Sequence, residues 1–154
     1  MKNNRKKVMI LTNHSYMLYR FRKELIEELM KNYDVVLSMP FVGHHEDFIN
    51  MGLRCIETKM ERRGVNPIHD FSLMKFYKKI LQEENSDLVI TYSIKPNVYG
   101  GLMCEKLNIP FYANVQGLGT AFQKPGLAQF ATVLYKTKRL CHNSDSSYRQ
   151  EPTH

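Results

Sequence analysis

A doubly wound parallel α/β sheet of the Rossmann-like type is the fold this sequence predicts, and three observations predict it. Short apolar runs alternate with stretches of helical periodicity along most of the chain. Those runs are apolar throughout, as strands buried on both faces are. The length of 154 residues, with 43% hydrophobic and 24% charged residues, suits one globular domain with a sizeable core.

The elements follow in order. Residues 7–12 (KVMILT) form the first strand, and residues 20–31 a helix with Phe21, Leu25 and Leu29 at helical spacing beside Ile26 and Met30. Residues 34–38 (DVVLS) give a second strand, 44–51 a short helix and 53–56 a third strand. A longer helix over 72–84 places Leu73, Phe76 and Ile80 beside Met74, Tyr77 and Leu81. Residues 87–91 (DLVIT) form a fourth strand, and 97–107 a helix stopped by Asn108 and Pro110. A fifth strand over 110–113 and a last helix over 126–136 complete the pattern. Right-handed crossovers then cover both faces of the sheet, and the expected strand order is 3-2-1-4-5. From residue 137 the pattern ends, and the polar stretch 137–154 is expected to be a disordered tail.

Composition removes several function classes. No apolar run approaches the roughly 18 residues of a membrane span, and the basic start is not followed by a signal-peptide core. Cys55, Cys104 and Cys141 are odd in number and lack Cys-x-x-Cys spacing, so reduced thiols in the cytoplasm are expected, with no zinc knuckle. Neither His44-His45 nor Cys141-His142 has metal-ligand spacing, and no metal or cofactor is expected. The net charge of +7 is uneven: Lys2, Arg5, Lys6, Lys7, Arg20, Arg22 and Lys23 all precede the first acidic residue, Glu24. No nucleic-acid motif accompanies them, which leaves a solvated edge or peripheral contact with anionic lipid.

In such a sheet ligands bind at the carboxyl ends of the strands where the order reverses, between the first and fourth strands. The loop of residues 13–19 lacks the Gly-x-Gly-x-x-Gly spacing of a dinucleotide fold, and its His14 can serve as a base or orient a hydroxyl. The loop of residues 92–97 leads into a helix whose first amides suit an anion, with Lys95 beside them as a phosphate or hydroxyl contact. Gly100 and Gly101 lie inside that helix at a cost of roughly 1 kcal/mol each, which points to close packing on the sheet before substrate approach. After the fifth strand, residues 114–122 carry Gly117 and Gly119, which allow backbone close to a ligand. After the third, adjacent Arg62 and Arg63 could grip a phosphate or carboxylate, although most such exposed pairs are merely solvated.

Asn13-His14 with Phe21-Arg22, Arg62-Arg63-Gly64 with Asn66-Pro67, TYSIKPNVYGG and NVQGLGTAF occur in that order, each after a strand. The series resembles glycosyltransferase family 4, within it the bacterial enzymes of capsular, exopolysaccharide and lipopolysaccharide assembly, over about residues 6–136. The resemblance implies the N-terminal half of a GT-B fold, acceptor-binding over residues 1–136. It implies transfer of a hexose from a nucleotide diphosphate sugar, usually with retention and without an essential metal, to an acceptor that is commonly a lipid-linked saccharide at the inner membrane leaflet. By position His14, Lys95, Asn97, Gln116, Gly117 and Gly119 line the acceptor side of the cleft. Asn13, Tyr16, Arg62, Arg63 and Ser93 complete the candidate set, with His14 the candidate catalytic residue. Many family members carry a histidine in the loop after the fifth strand, where Gln116 stands here.

The family's donor-binding domain is marked by Glu-x7-Glu, and no two glutamates here stand eight positions apart. The chain is therefore expected to lack that domain and to be inactive alone, the nucleotide sugar binding only when it is supplied. The rival reading is a non-catalytic acceptor-binding or membrane-recruiting subunit of a split glycosyltransferase. The amino half of a sugar-nucleotide epimerase is a third.

Overall fold

A computed structural model describes residues 5–60 and 66–115, which fall within one compact unit of the chain. Five strands, β1 (Lys7–Leu11), β2 (Asp34–Met39), β3 (Arg54–Glu57), β4 (Leu88–Tyr92) and β5 (Phe111–Asn114), form one sheet in the order β3-β2-β1-β4-β5. Every neighbouring pair is parallel, with Val8 opposite Val35 on one side and Leu88 on the other. Strand order and fold class are those the sequence predicts.

Helices α1 (Ser15–Asn32) and α2 (His45–Asn50) cover one face, and α3 (Pro67–Glu84) with α4 (Gly101–Lys106) the other. Alternation along the strands divides the core accordingly. Ile10, Leu37 and Met39 pack with Leu18, Ile26 and Phe48, whereas Met9, Leu11, Val36 and Val89 pack with Leu73, Tyr77, Leu81 and Cys104.

Both long helices begin five residues before the sequence periodicity starts. Asn66 caps α3 by accepting from the Ile68 amide at 3.2 Å, and Pro67 occupies the first helical position, where its missing N–H and fixed φ cost nothing. In α1 the chain turns helical directly after His14, so Tyr16 lies on a helix and not in a loop. The buried stripe of α1 is also shifted: Leu25 and Phe21 are 43% and 52% exposed, while Leu18 and Ile26 are buried. Of the residues that apolar periodicity marks as inward, Ile26, Leu29 and Met30 pack into the core while Phe21 and Leu25 are turned outward, because Leu18 and Ile26 are the residues that meet the β1–β2 side of the sheet.

After β4 the chain passes through a π-helical turn, Pro96–Gly100, into α4. Here the two adjacent glycines touch the sheet. A Cβ on Gly100 would stand 2.7 Å from Leu11 Cδ1, and one on Gly101 2.9 Å from Phe111 Cε2. Close helix-to-sheet packing therefore requires both. The expected helix over 126–136 and the tail from 137 lie outside the described residues. No described helix is long and apolar enough to cross a membrane.

Candidate functional site

Two pockets open among the loops and helix ends at the carboxyl edge. The first, about 240 Å³, sits at the switch point between β1 and β4 and is lined by Thr12, Asn13, His14, Met17, Leu18, Arg22, Tyr92 and Ser93. Three expected site residues, Asn13, His14 and Ser93, thus meet in one place. His14 stands at the N-cap of α1, its amide donating to Thr12 Oγ1 at 3.3 Å. Ser93 adopts φ 76°, a left-handed backbone uncommon outside glycine, directly after β4. Its carbonyl accepts from the Asn97 amide at 2.9 Å and so starts the following helical segment.

Arg22 enters the same pocket from the second turn of α1, its guanidinium 5.7 Å from the centre of the Tyr92 ring. Burial raises the Tyr92 phenol above its ordinary pKa, and the positive charge of Arg22 partly opposes that shift. One Arg22 nitrogen donates to the Phe21 carbonyl at 3.0 Å. Sequence reasoning placed Arg22 in a motif and left it out of the site; the signal that could have found it is its spacing of four residues from both Leu18 and Ile26.

The second pocket is larger, about 750 Å³, and lies between the ends of β2 and β3 and the start of α3. Phe41, Met60, Leu73 and Phe76 supply apolar wall, and Glu57, Thr58, Lys59, His69, Asp70, Ser72 and Lys95 the polar groups. Lys95 is here and not beside His14. Its ammonium donates to Asp70 Oδ1 at 2.9 Å, and the Tyr99 hydroxyl donates to Asp70 Oδ2 at 3.0 Å. Asp70 and Lys95 side chains are 7% and 14% exposed, so this is a largely buried ion pair. Burial, then the hydrogen bond to the Asp70 carboxylate, pushes the Tyr99 phenol up to about 12. The loop after β4 thus gives Ser93 to one pocket and Lys95 to the other.

Asn97 is buried, and both ends of its amide are engaged. Thr91 donates to its Oδ1 at 2.7 Å, and its Nδ2 donates to the Asn114 carbonyl at 3.0 Å. It ties the segment after β4 to the end of β5. Tyr16 faces outward, its hydroxyl accepting from Arg20 at 2.8 Å and its ring 5.3 Å from that of His44. Arg62, Arg63, Gln116, Gly117 and Gly119 lie outside the described residues.

No family model matches the chain. It is 25% identical over 122 residues to N,N'-diacetylbacillosaminyl-diphospho-undecaprenol alpha-1,3-N-acetylgalactosaminyltransferase of Campylobacter jejuni, a match covering 78% of this chain and 32% of that protein. Among solved structures it is similar to Acinetobacter baumannii MurG (TM-score 0.60, 16% identity, 83% of this chain and 38% of that one). A Rickettsia africae glycosyltransferase is similar to the same degree (TM-score 0.60, 16% identity, 80% and 35%). The UDP-GlcNAc 2-epimerase of Neisseria meningitidis shares the fold too (TM-score 0.54, 14% identity, 83% and 38%). The chain spans about a third of the length of the curated relative it matches. It is homologous to a bacterial glycosyltransferase and carries the Rossmann-like parallel sheet found in GT-B enzymes.

Proposed function

We propose that this chain supplies the acceptor side of a family 4 glycosyltransferase, which moves a hexose from a nucleotide diphosphate sugar to a lipid-linked saccharide in capsular or related polysaccharide assembly. The observation that carries the reading is the gathering of Asn13, His14 and Ser93 in one pocket at the switch point, in a chain homologous to a transferase acting on a diphospho-undecaprenol saccharide. An imidazole there can accept a proton from an attacking hydroxyl near neutral pH, while the Asn13 amide and Ser93 hydroxyl fix that hydroxyl by hydrogen bonds. Arg62, Arg63, Gln116, Gly117 and Gly119 join the acceptor surface by resemblance. Residues 1–136 form the acceptor domain in this reading, and the donor's nucleotide is held by a second domain such as the relatives' greater length accommodates. The basic residues before Glu24 favour peripheral contact with anionic lipid at the inner face of the plasma membrane.

Equilibrium binding to the purified chain tests this. A detergent-solubilised undecaprenyl-diphosphate saccharide is expected to bind, and a panel of UDP- and GDP-sugars to bind far more weakly, with no transfer by the chain alone. Nucleotide-sugar binding as tight as acceptor binding would favour the epimerase-like alternative, and turnover by this chain alone would overturn the assignment of donor binding to a second domain.

A further inference from the structure

On α1 the residues facing the sheet are Ser15, Leu18, Ile26 and the partly buried Leu29, and Arg22 occupies the position between Leu18 and Ile26 on that same stripe. A guanidinium on the core side of a helix loses hydration, which is compensated where a carboxylate neutralises it. Glu84, for example, receives both Lys7 and Arg54, and Asp70 receives Lys95. Among the described residues no carboxylate pairs with Arg22 and none lines its pocket. Instead it lies over the Tyr92 ring and opens on the cavity that holds Asn13, His14 and Ser93. The planar fork of donors suits the oxygens of a phosphoryl group, and the pocket's remaining polar groups are hydrogen-bonding and uncharged or weakly basic.

We infer that the switch-point pocket binds a diphosphate group through Arg22, and that Lys95, neutralised by Asp70, is not the anion contact. This rests on the acceptor-side reading for the ligand's source, but the anion site stands on its own geometry. Two sources share the chemistry: the diphosphate of a lipid carrier and that of a nucleotide.

Isothermal titration of the chain with inorganic pyrophosphate, then with farnesyl diphosphate and UDP, tests it. Arg22→Ala is expected to weaken pyrophosphate binding roughly tenfold or more, the scale of a lost charge-assisted bidentate contact, and Arg22→Lys to fall between. Lys31→Ala, the same change of charge at the far end of α1, is expected to leave binding within about twofold. Arg22→Met keeps bulk without charge, so it is expected to melt at or above the parent temperature while losing the thermal shift that pyrophosphate gives. Absence of pyrophosphate binding, equal binding by Arg22→Ala, or a lower melting temperature in Arg22→Met with binding intact would each overturn the inference and leave Arg22 a packing residue. Tighter binding of farnesyl diphosphate than of UDP identifies the lipid carrier as the source. The reverse order would keep the anion site and remove the acceptor-side reading.

Discussion

Lys95 in the larger pocket, which Lys59 and Glu57 also line, and Arg22 in the smaller are both long basic side chains at the carboxyl edge, yet the chain treats these two charges in opposite ways. Lys95 is met by a buried carboxylate whose other oxygen is taken by Tyr99, so the charge is cancelled within the fold. Arg22 is held against an aromatic ring, which attracts a cation but does not neutralise it. A basic residue in a strand-end loop is therefore no guide to where an anion binds until its partners are known. The larger pocket has balanced charge and much apolar wall, suited to an uncharged portion of a ligand, whereas the smaller keeps a net positive charge at the point where the strand order reverses.

The largest test of that contrast removes Asp70. Truncation leaves Lys95 buried without a partner and Tyr99 without an acceptor, so Asp70→Ala is expected to cost about 3–5 kcal/mol in urea unfolding. Replacing Lys95 by Met in the same chain should recover most of the loss, since a neutral side chain of similar volume needs no counter-charge. A cost below about 1 kcal/mol would mean that the pair is effectively solvated, and the difference between the pockets would vanish.

A second test concerns the stripe that turns Arg22 inward. Ile26 is fully buried, and Ile26→Ala is expected to cost about 2–5 kcal/mol through the cavity it leaves. Leu25, 43% exposed on the adjacent stripe, should tolerate the same truncation within about 1 kcal/mol. Equal losses at both positions would show the helix rotated from the orientation that carries Arg22 to Tyr92.

These residues also mark what sequence could tell. The parallel sheet and the placing of ligand loops at one edge follow from alternation and chirality, which need only the apolar pattern, whereas the strand order follows only once the Rossmann-like type is assumed. The orientation of α1 did not follow, because Met17, Phe21 and Leu25 make an apolar stripe at helical spacing as regular as the buried one. Periodicity cannot choose between two such stripes. The start of α3 was legible in Asn66-Pro67, an N-cap followed by proline at the first helical position, but the apolar pattern begins later and drew the boundary with it. The Lys95–Asp70 pair joins residues 25 positions apart, and no local signal announces it. Likewise Asn97, legible as a polar loop residue, proves to be a tie between β4 and the end of β5 only when its neighbours across the sheet are in place.

The smallest expected effect probes the short segment that parts the two pockets. Ser93 and Lys95 are two residues apart and serve different cavities, and the segment that follows them is pressed on the sheet through Gly100 and Gly101. Alanine at either site gains helix propensity of about 1 kcal/mol, against the cost of contact. At Gly101 the obstacle is the Phe111 ring, approached at 2.9 Å by Cε2 and 3.0 Å by Cζ, and a ring in the core cannot yield at one atom. Helix α4 must then lift or Phe111 must leave its rotamer, so Gly101→Ala is expected to be destabilising by about 1–3 kcal/mol overall. At Gly100 the obstacle is a single Leu11 methyl at 2.7 Å, the end of a side chain with its own rotamers, so Gly100→Ala should lose less. Because lifting α4 would also displace the segment that carries Ser93 and Lys95, Gly101→Ala should shift the amide resonances of residues lining both pockets, as read in a heteronuclear NMR spectrum. A Gly101→Ala chain more stable than the parent, with those resonances unmoved, would mean that the close approach plays no part in keeping the pockets apart.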